Sequence, residues 1–144
     1  MLNKIPRILS PELVKFLMEM GHGDEVIIAD GNFPSSTCSQ RLVRADGHSG
    51  TEILDAILEL FPLDPYGDEI PVSLMEKVPG DKVETPIWDE YKDIVLKHNS
   101  NIREFNFIER FEFYERSKKA YGVIATGEAA LYANILIRKG VVLD

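Results

Sequence analysis

Two continuous apolar triplets, Val26-Ile27-Ile28 and Ile135-Leu136-Ile137, set the tightest limit on how this chain can fold. A strand with one wet face alternates apolar and polar residues, whereas a strand apolar at every position must be covered on both faces. The rest of the sequence offers helices as that cover. Ser10 suits an N-cap, Pro11 the first helical position and Gly21 the position just past the end. Between them Leu13, Phe16, Leu17 and Met20 repeat with helical spacing on one face. The capping box Ser49-x-x-Glu52 opens a second helix carrying Ile53, Leu54, Ile57, Leu58 and Phe61 before Pro62 stops it. A third starts at Thr85-Pro86 and presents Ile87, Trp88, Tyr91, Ile94 and Val95, and a fourth covers 111–120. Short β-rich runs at 25–29, 41–45, 72–77, 104–108, 122–126 and 134–138 fill the intervals. The expected fold class is α/β: a single three-layer α/β/α domain over 1–144, with a mostly buried mixed sheet and helices on both sides. Pro71 heads the third strand and moves it toward an edge, because proline cannot donate to a ladder.

Charge and motif content then exclude most functions. Sixteen Lys+Arg against 24 Asp+Glu leave a net charge of −8, so no nucleic-acid partner is expected. No apolar run approaches the roughly 18 residues of a membrane span. The N-terminal residues lack an uninterrupted apolar stretch, so neither a membrane partner nor a signal peptide is expected. The single cysteine, Cys38, excludes an internal disulfide framework, and a cytoplasmic location is expected. Phosphate-binding loops, H-E-x-x-H and G-x-S-x-G are all missing, and Gly21-His22-Gly23 follows a helix where a phosphate loop precedes one. His22, His48 and His98 are irregularly spaced and Cys38 has no nearby ligand, so no metal and no cofactor are expected.

What remains is a set of polar residues where α/β folds place their sites. Asp30 closes the first strand, at the carboxyl end where ligands bind in open sheets; the plainer reading is a turn carboxylate before Gly31-Asn32. His22 lies between a helix end and a strand, flanked by glycines; the plainer reading is a solvated residue favoured by the helix dipole. His48 reads as a turn residue and His98 as a dipole partner at a helix end. Arg110 and Tyr114 stand one helical turn apart and share a face. Just past a strand, Arg110 can meet a polar ligand, or form a surface salt bridge with Glu112 or Glu115. Tyr132-Ala133-Asn134 sets a phenol and an amide beside a small residue, which suits hydroxyl recognition or turn chemistry.

In order and spacing, these segments resemble the family of ribose pyranases and L-fucose mutarotases. The resemblance rests on Ser10-Pro11-Glu12-Leu13, Met20-Gly21-His22-Gly23-Asp24-Glu25, Ala29-Asp30-Gly31-Asn32-Phe33-Pro34 and Arg44-Ala45-Asp46-Gly47. It continues through 110–116, Thr126-Gly127-Glu128 and 132–136, with 72–103 the most divergent stretch. Gly-His-Gly-Asp and Arg-Phe-x-Phe-Tyr-Glu-Arg are similar to the fucose branch; ribose pyranases typically carry His at the Arg110 position and Thr at Gly23. Ala133 departs from the Gly common in bacterial fucose enzymes. The resemblance implies a cofactor-free isomerase that interconverts the anomers of a free monosaccharide. It implies His22 as proton donor and Asp30, Arg110, Tyr132, Ala133 and Asn134 as sugar-binding residues, with Tyr114 as an additional acid–base or stacking residue. It also implies a ring-shaped homo-oligomer, commonly a decamer of two pentamers with sites completed at subunit interfaces. A ribose-specific mutarotase and a non-catalytic monosaccharide-binding protein remain alternatives. His22 and Asp30 are expected to interact if the fold brings them together.

Overall fold

In the computed structural model, which describes residues 1–144, the two apolar triplets lie side by side. Val26 pairs with Ile137, Ile27 with Leu136 and Ile28 with Ile135, antiparallel, at the middle of a six-stranded sheet. The elements run α1 (Pro11–Glu19), β1 (Glu25–Ala29), β2 (Leu42–Ala45), α2 (Gly50–Leu58), β3 (Val72–Met75), α3 (Pro86–His98), β4 (Asn106–Ile108), α4 (Arg110–Lys119), β5 (Gly122–Thr126) and β6 (Ile135–Arg138). Across the sheet the order is β2-β5-β1-β6-β3-β4. All strands but β6 point the same way, so the sheet is mixed, as expected.

Because side chains alternate across a strand, the apolar runs feed two cores. Val26 and Ile28 join Ile124, Ile135, Ile137, Val72 and Leu74 beneath α1, α2 and α3. Ile27 and Ala29 join Val123, Leu136 and Met75 on the other face, covered by Phe113 of α4 and by Phe33. Helices therefore flank both faces, three against one. No helix is long and apolar enough to cross a membrane.

One strand position differs from expectation. β3 is internal, between β6 and β4, and every residue in it is buried; the edges are β2 and β4. Pro71 stands just before the first paired residue, so its missing N–H lies outside the ladder, while its carbonyl accepts from the Arg138 N–H at 2.9 Å. Helix starts follow the capping chemistry. Ser10 accepts from Leu13 N–H at 3.1 Å, and Ser49 and Glu52 complete both halves of their box. Helix α1 does not end on a left-handed Gly21; Met20 turns out extended, and the left-handed residue is Gly23, at φ +86°.

Strand direction divides the chemistry between two rims. The carboxyl rim holds the ends of β1 to β5 and the start of β6, hence Asp30, Arg110, Thr126 and the 132–134 segment. The opposite rim holds the starts of β1 and β3 and the end of β6, hence His22, Asp64 and Arg138.

Candidate active site

Asp30 anchors the carboxyl rim. It is buried, and its backbone N–H donates to Asn134 Oδ1 at 2.8 Å, which ties the end of β1 to the start of β6. Its own Oδ1 accepts from the Asn32 N–H at 3.0 Å. Burial pushes the Asp30 carboxyl above the usual carboxylate range, partly opposed by N–H groups of Asn32, Ala133 and Phe33 and by Asn134. A cleft of about 440 Å³ opens beside it, lined by Phe33, Ser36, Thr37, Arg44 and Thr126 among others.

The 132–134 segment is held from behind by α3. Trp88 Nε1 donates to the Tyr132 carbonyl at 2.8 Å, and the Tyr91 hydroxyl donates to the Ala133 carbonyl at 2.8 Å. Tyr132 adopts a left-handed backbone at φ +55°, a conformation rare for a bulky residue. Its hydroxyl donates to Asp81 Oδ2 at 2.6 Å and accepts from the Val78 N–H at 3.3 Å, so the 78–81 loop is fastened to it. The Asp81 carboxylate raises the Tyr132 phenol.

Arg110 opens α4, where Glu109 caps the helix by accepting from the N–H groups of Phe111 and Glu112. Arg110 Nε donates to the Tyr114 hydroxyl at 3.0 Å, one turn along the same face, and the guanidinium lies over the Phe111 and Tyr114 rings. It makes no ion pair with Glu112 or Glu115; Glu115 pairs with Lys118 at 2.9 Å. The Tyr114 ring meets Phe33 edge-on at 5.7 Å, and Phe33 N–H donates to the Asp30 carbonyl at 3.3 Å. Asp30, Arg110, Tyr114 and the 132–134 segment thus border one carboxyl-rim surface.

His22 is not on it. It sits on the turn before β1, where Gly23 N–H donates to the Lys139 carbonyl at 2.8 Å and Asp24 accepts from Gly21 N–H at 2.7 Å. Five residues of β1 intervene, roughly 16 Å of strand at about 3.3 Å per residue. The expected partnership of His22 with Asp30 is therefore not formed within one chain. The carboxylate facing His22 is Asp64: Nε2 lies 3.2 Å from Asp64 Oδ1, with His22 half exposed and Asp64 buried. Burial pushes the Asp64 carboxyl up, but the Tyr66 N–H, Arg138 and His22 outweigh it and hold it below the usual range. Tyr66 meets the His22 ring edge-on at 6.0 Å. Sequence reasoning missed Asp64, since Leu63-Asp64-Pro65 reads only as a turn.

The other histidines behave as structural residues. His48 Nδ1 lies 3.9 Å from Glu52. His98 Nε2 is 2.7 Å from Asp55 Oδ1, tying α3 to α2. Asp55, Glu59 and His98 offer ligand atoms within 4.8 Å of one another, but Lys97 Nζ already occupies Asp55 at 2.6 Å.

Residues 3–142 match the sequence model of the RbsD / FucU transport protein family. The chain belongs to this family. A human RbsD / FucU relative, fucose mutarotase, is 51% identical over 97% of this chain and 94% of its own length. FucU from Bifidobacterium longum superposes with a TM-score of 0.94 at 54% identity, covering 98% of this chain and all of its own. The fucose mutarotase of Streptococcus pneumoniae, solved in complex with L-fucose, reaches a TM-score of 0.93 at 48% identity over 99% of this chain and all of its own. The resemblance seen in the sequence and the α/β fold expected from it are both borne out.

Proposed function

We propose that this chain is an L-fucose mutarotase, an isomerase interconverting the α and β anomers of free L-fucose. The observation that carries the reading is the carboxyl-rim set of Asp30, Arg110, Tyr132, Ala133 and Asn134 on a chain 51% identical to a protein named fucose mutarotase. Sugar hydroxyls both donate and accept, which calls for a carboxylate, an amide and a guanidinium together. The apolar C–H face of a pyranose fits against Phe33 and Tyr114, whose rings stand 5.7 Å apart.

The chemistry is proton transfer. A proton goes to the ring oxygen, another leaves the anomeric hydroxyl, the open aldehyde turns about C1–C2, and the ring recloses on the other face. Imidazole is the side chain suited to this near neutrality, and positioned acid–base help is worth about 10²–10⁴-fold. His22 is the proton donor in this reading, and Asp64, at 3.2 Å, orients its ring. Nothing in these steps requires a cofactor.

The two rims give the reading a quaternary consequence. His22 of the partner subunit completes the site, docking against Asp30 and Arg110 of the first. Such a contact joins unlike surfaces, and head-to-tail contacts that close make rings. Exposed apolar residues on both sides support it: Val78, Phe111 and Leu131 at the carboxyl rim, and Tyr66, Val142 and Leu143 at or beyond the other. A homo-oligomeric ring fits this reading, and its doubled form, a decamer of two pentamers, is what the family resemblance implies. Free fucose as substrate and a single buried thiol, Cys38, fit a cytoplasmic setting.

The deciding measurement is anomer exchange by saturation-difference NMR with L-fucose and D-ribose, in the presence of EDTA. Accelerated exchange of fucose, exceeding that of ribose, is expected. Faster exchange of ribose would favour the ribose-type mutarotase, and binding of either sugar without exchange would favour a monosaccharide-binding protein.

A further inference from the structure

Arg138 ends β6 beside the His22–Asp64 pair, and neither proton transfer nor sugar binding uses it directly. Its side chain is 14% exposed and that of Asp64 only 7%, so the two charges meet largely out of water. Arg138 Nε donates to Asp64 Oδ2 at 3.0 Å, while His22 faces the other oxygen, Oδ1. The guanidinium is itself clamped by the loop that carries Asp64, donating to the carbonyls of Glu69 at 2.9 Å and Tyr66 at 3.4 Å. The Tyr66 N–H, at 3.1 Å, also donates to Oδ1. With Oδ2 held from one side and Oδ1 from another, the plane of the carboxylate is fixed.

We propose that Arg138 is a positioning residue for proton transfer: its guanidinium turns and holds the Asp64 carboxylate so that Oδ1 is presented to His22. The proposal rests on the reading of His22 as proton donor. An isolated buried pair is weak evidence of anything but packing. Here one partner of the pair has a second contact, to an imidazole half open to solvent, and that contact is the reason for the assignment.

The surrounding charges do not displace Arg138 from Asp64, and its hold on the loop runs through backbone carbonyls rather than through the Glu69 carboxylate. Its Nη1 lies 3.6 Å from Glu69 Oε2, and the same oxygen is 3.1 Å from Arg116, which grips Glu25 through Nε and Nη2 at 3.1 and 2.7 Å. His22, Asp64, Arg138, Glu69, Arg116 and Glu25 alternate in sign capacity from the turn before β1, through Arg116 on helix α4, to the first residue of β1. Other charges near the pair are turned elsewhere, Asp24 to the Gly21 N–H and Lys139 to the Gly140 carbonyl. Arg138 is thus the cation that answers Asp64. Without it, burial acts on the carboxyl with less opposition, and protonation of Asp64 begins at higher pH.

Fucose anomer exchange as a function of pH, with sugar affinity and the circular dichroism spectrum of the same samples, tests this on the intact protein. For Arg138→Gln, exchange at neutral pH should fall about tenfold with fucose affinity unchanged. The midpoint of its acid limb should rise by about one pH unit. Arg138→Lys, which keeps a cation there, should regain most of the rate and the wild-type acid limb. Glu69→Gln breaks the outer ion pairs while leaving Arg138 on Asp64, and its acid limb should stay in place. If Arg138→Gln does not fold, the contrast between Arg138→Lys and Glu69→Gln stands in its place: a raised acid limb in Glu69→Gln, or none of the wild-type rate in a folded Arg138→Lys, overturns the proposal. Equal loss of rate at every pH in a folded Arg138→Gln overturns it too. A wild-type protein that does not exchange fucose overturns the mutarotase reading itself, and that result is distinct because it precedes any variant.

Discussion

Asp30 holds a carboxylate where burial works against its charge, and that conflict separates stability from function at one atom group. Its folded pKa is raised, so its contribution to stability is fully present below the unfolded value of about 3.9 and is lost as pH rises through the folded one. At neutral pH the charged group is therefore a cost. Asp30→Asn should raise resistance to urea at neutral pH, with the advantage vanishing in acid, while fucose affinity falls; urea melts at two pH values and a sugar titration check both. His22→Gln keeps size and some hydrogen bonding but cannot titrate near neutrality, so exchange should drop by about 10²-fold or more with little change in affinity. The turn around His22 is open and its side chain half exposed, so the substitution disturbs no core packing; exchange at the wild-type rate would remove His22 from the mechanism. Arg110→His is expected to shift preference toward ribose, read as the ratio of the two exchange rates. At this scale the sequence announced the residues but not all of their neighbours. Asp30, Arg110, Tyr114 and the 132–134 segment border strand ends, which a chain reading can locate. Asp64 stands 42 residues from His22, and only strand pairing brings the two together.

Among the elements, α3 does the least visible and most consequential work. Through Trp88 and Tyr91 it holds the carbonyls of Tyr132 and Ala133, and so sets the segment proposed to face the sugar. Room for this comes from Gly50, where a Cβ would collide with the Tyr91 hydroxyl. Tyr91→Phe leaves a buried carbonyl without its donor, which costs about 1–3 kcal/mol; chemical denaturation should show that loss, and fucose affinity should fall with it. Wild-type affinity in that variant would mean that the segment keeps its shape without α3. Caps made the helices legible in sequence, because Ser10, Pro11, Ser49 and Glu52 act on backbone groups within one turn. Strand ends were less so. The third strand stops at Met75 and the fourth begins at Asn106, both inside the β-rich runs that suggested them, since a ladder ends where its neighbour ends. Pro71 misled for the same reason: whether its missing N–H matters depends on the register with β6, and register is a property of two strands.

For the whole molecule the question is why the proposed proton donor and the proposed sugar-binding surface lie at opposite ends of one sheet. Five parallel strands bring Asp30 and Arg110 to one rim, and the turn that enters β1 necessarily leaves His22 at the other. No bending of a sheet buried on both faces brings them together, so under the proposed assignment a site that uses both residues borrows across a contact between copies. That division makes a sharp expectation for mixed assemblies. A His22→Gln protomer retains an intact carboxyl rim, and an Asp30→Asn protomer retains an intact His22 turn. Each variant alone has every site defective. When the two are unfolded together and reassembled in equal amounts, a head-to-tail ring takes His22 from one neighbour and Asp30 from the next, so about a quarter of the sites become wild type on both sides. Exchange should then recover to about a quarter of the wild-type rate, and to none of it when the samples are only mixed without reassembly. The same measurement on a chain whose His22 and Asp30 act in one protomer gives no recovery at all, since every protomer then carries one defect. Recovery also fails if the copies meet through like surfaces that leave the two rims apart. Restored exchange after co-assembly, with sedimentation showing a closed oligomer in both samples, is therefore the outcome expected if the two opposed rims share one site.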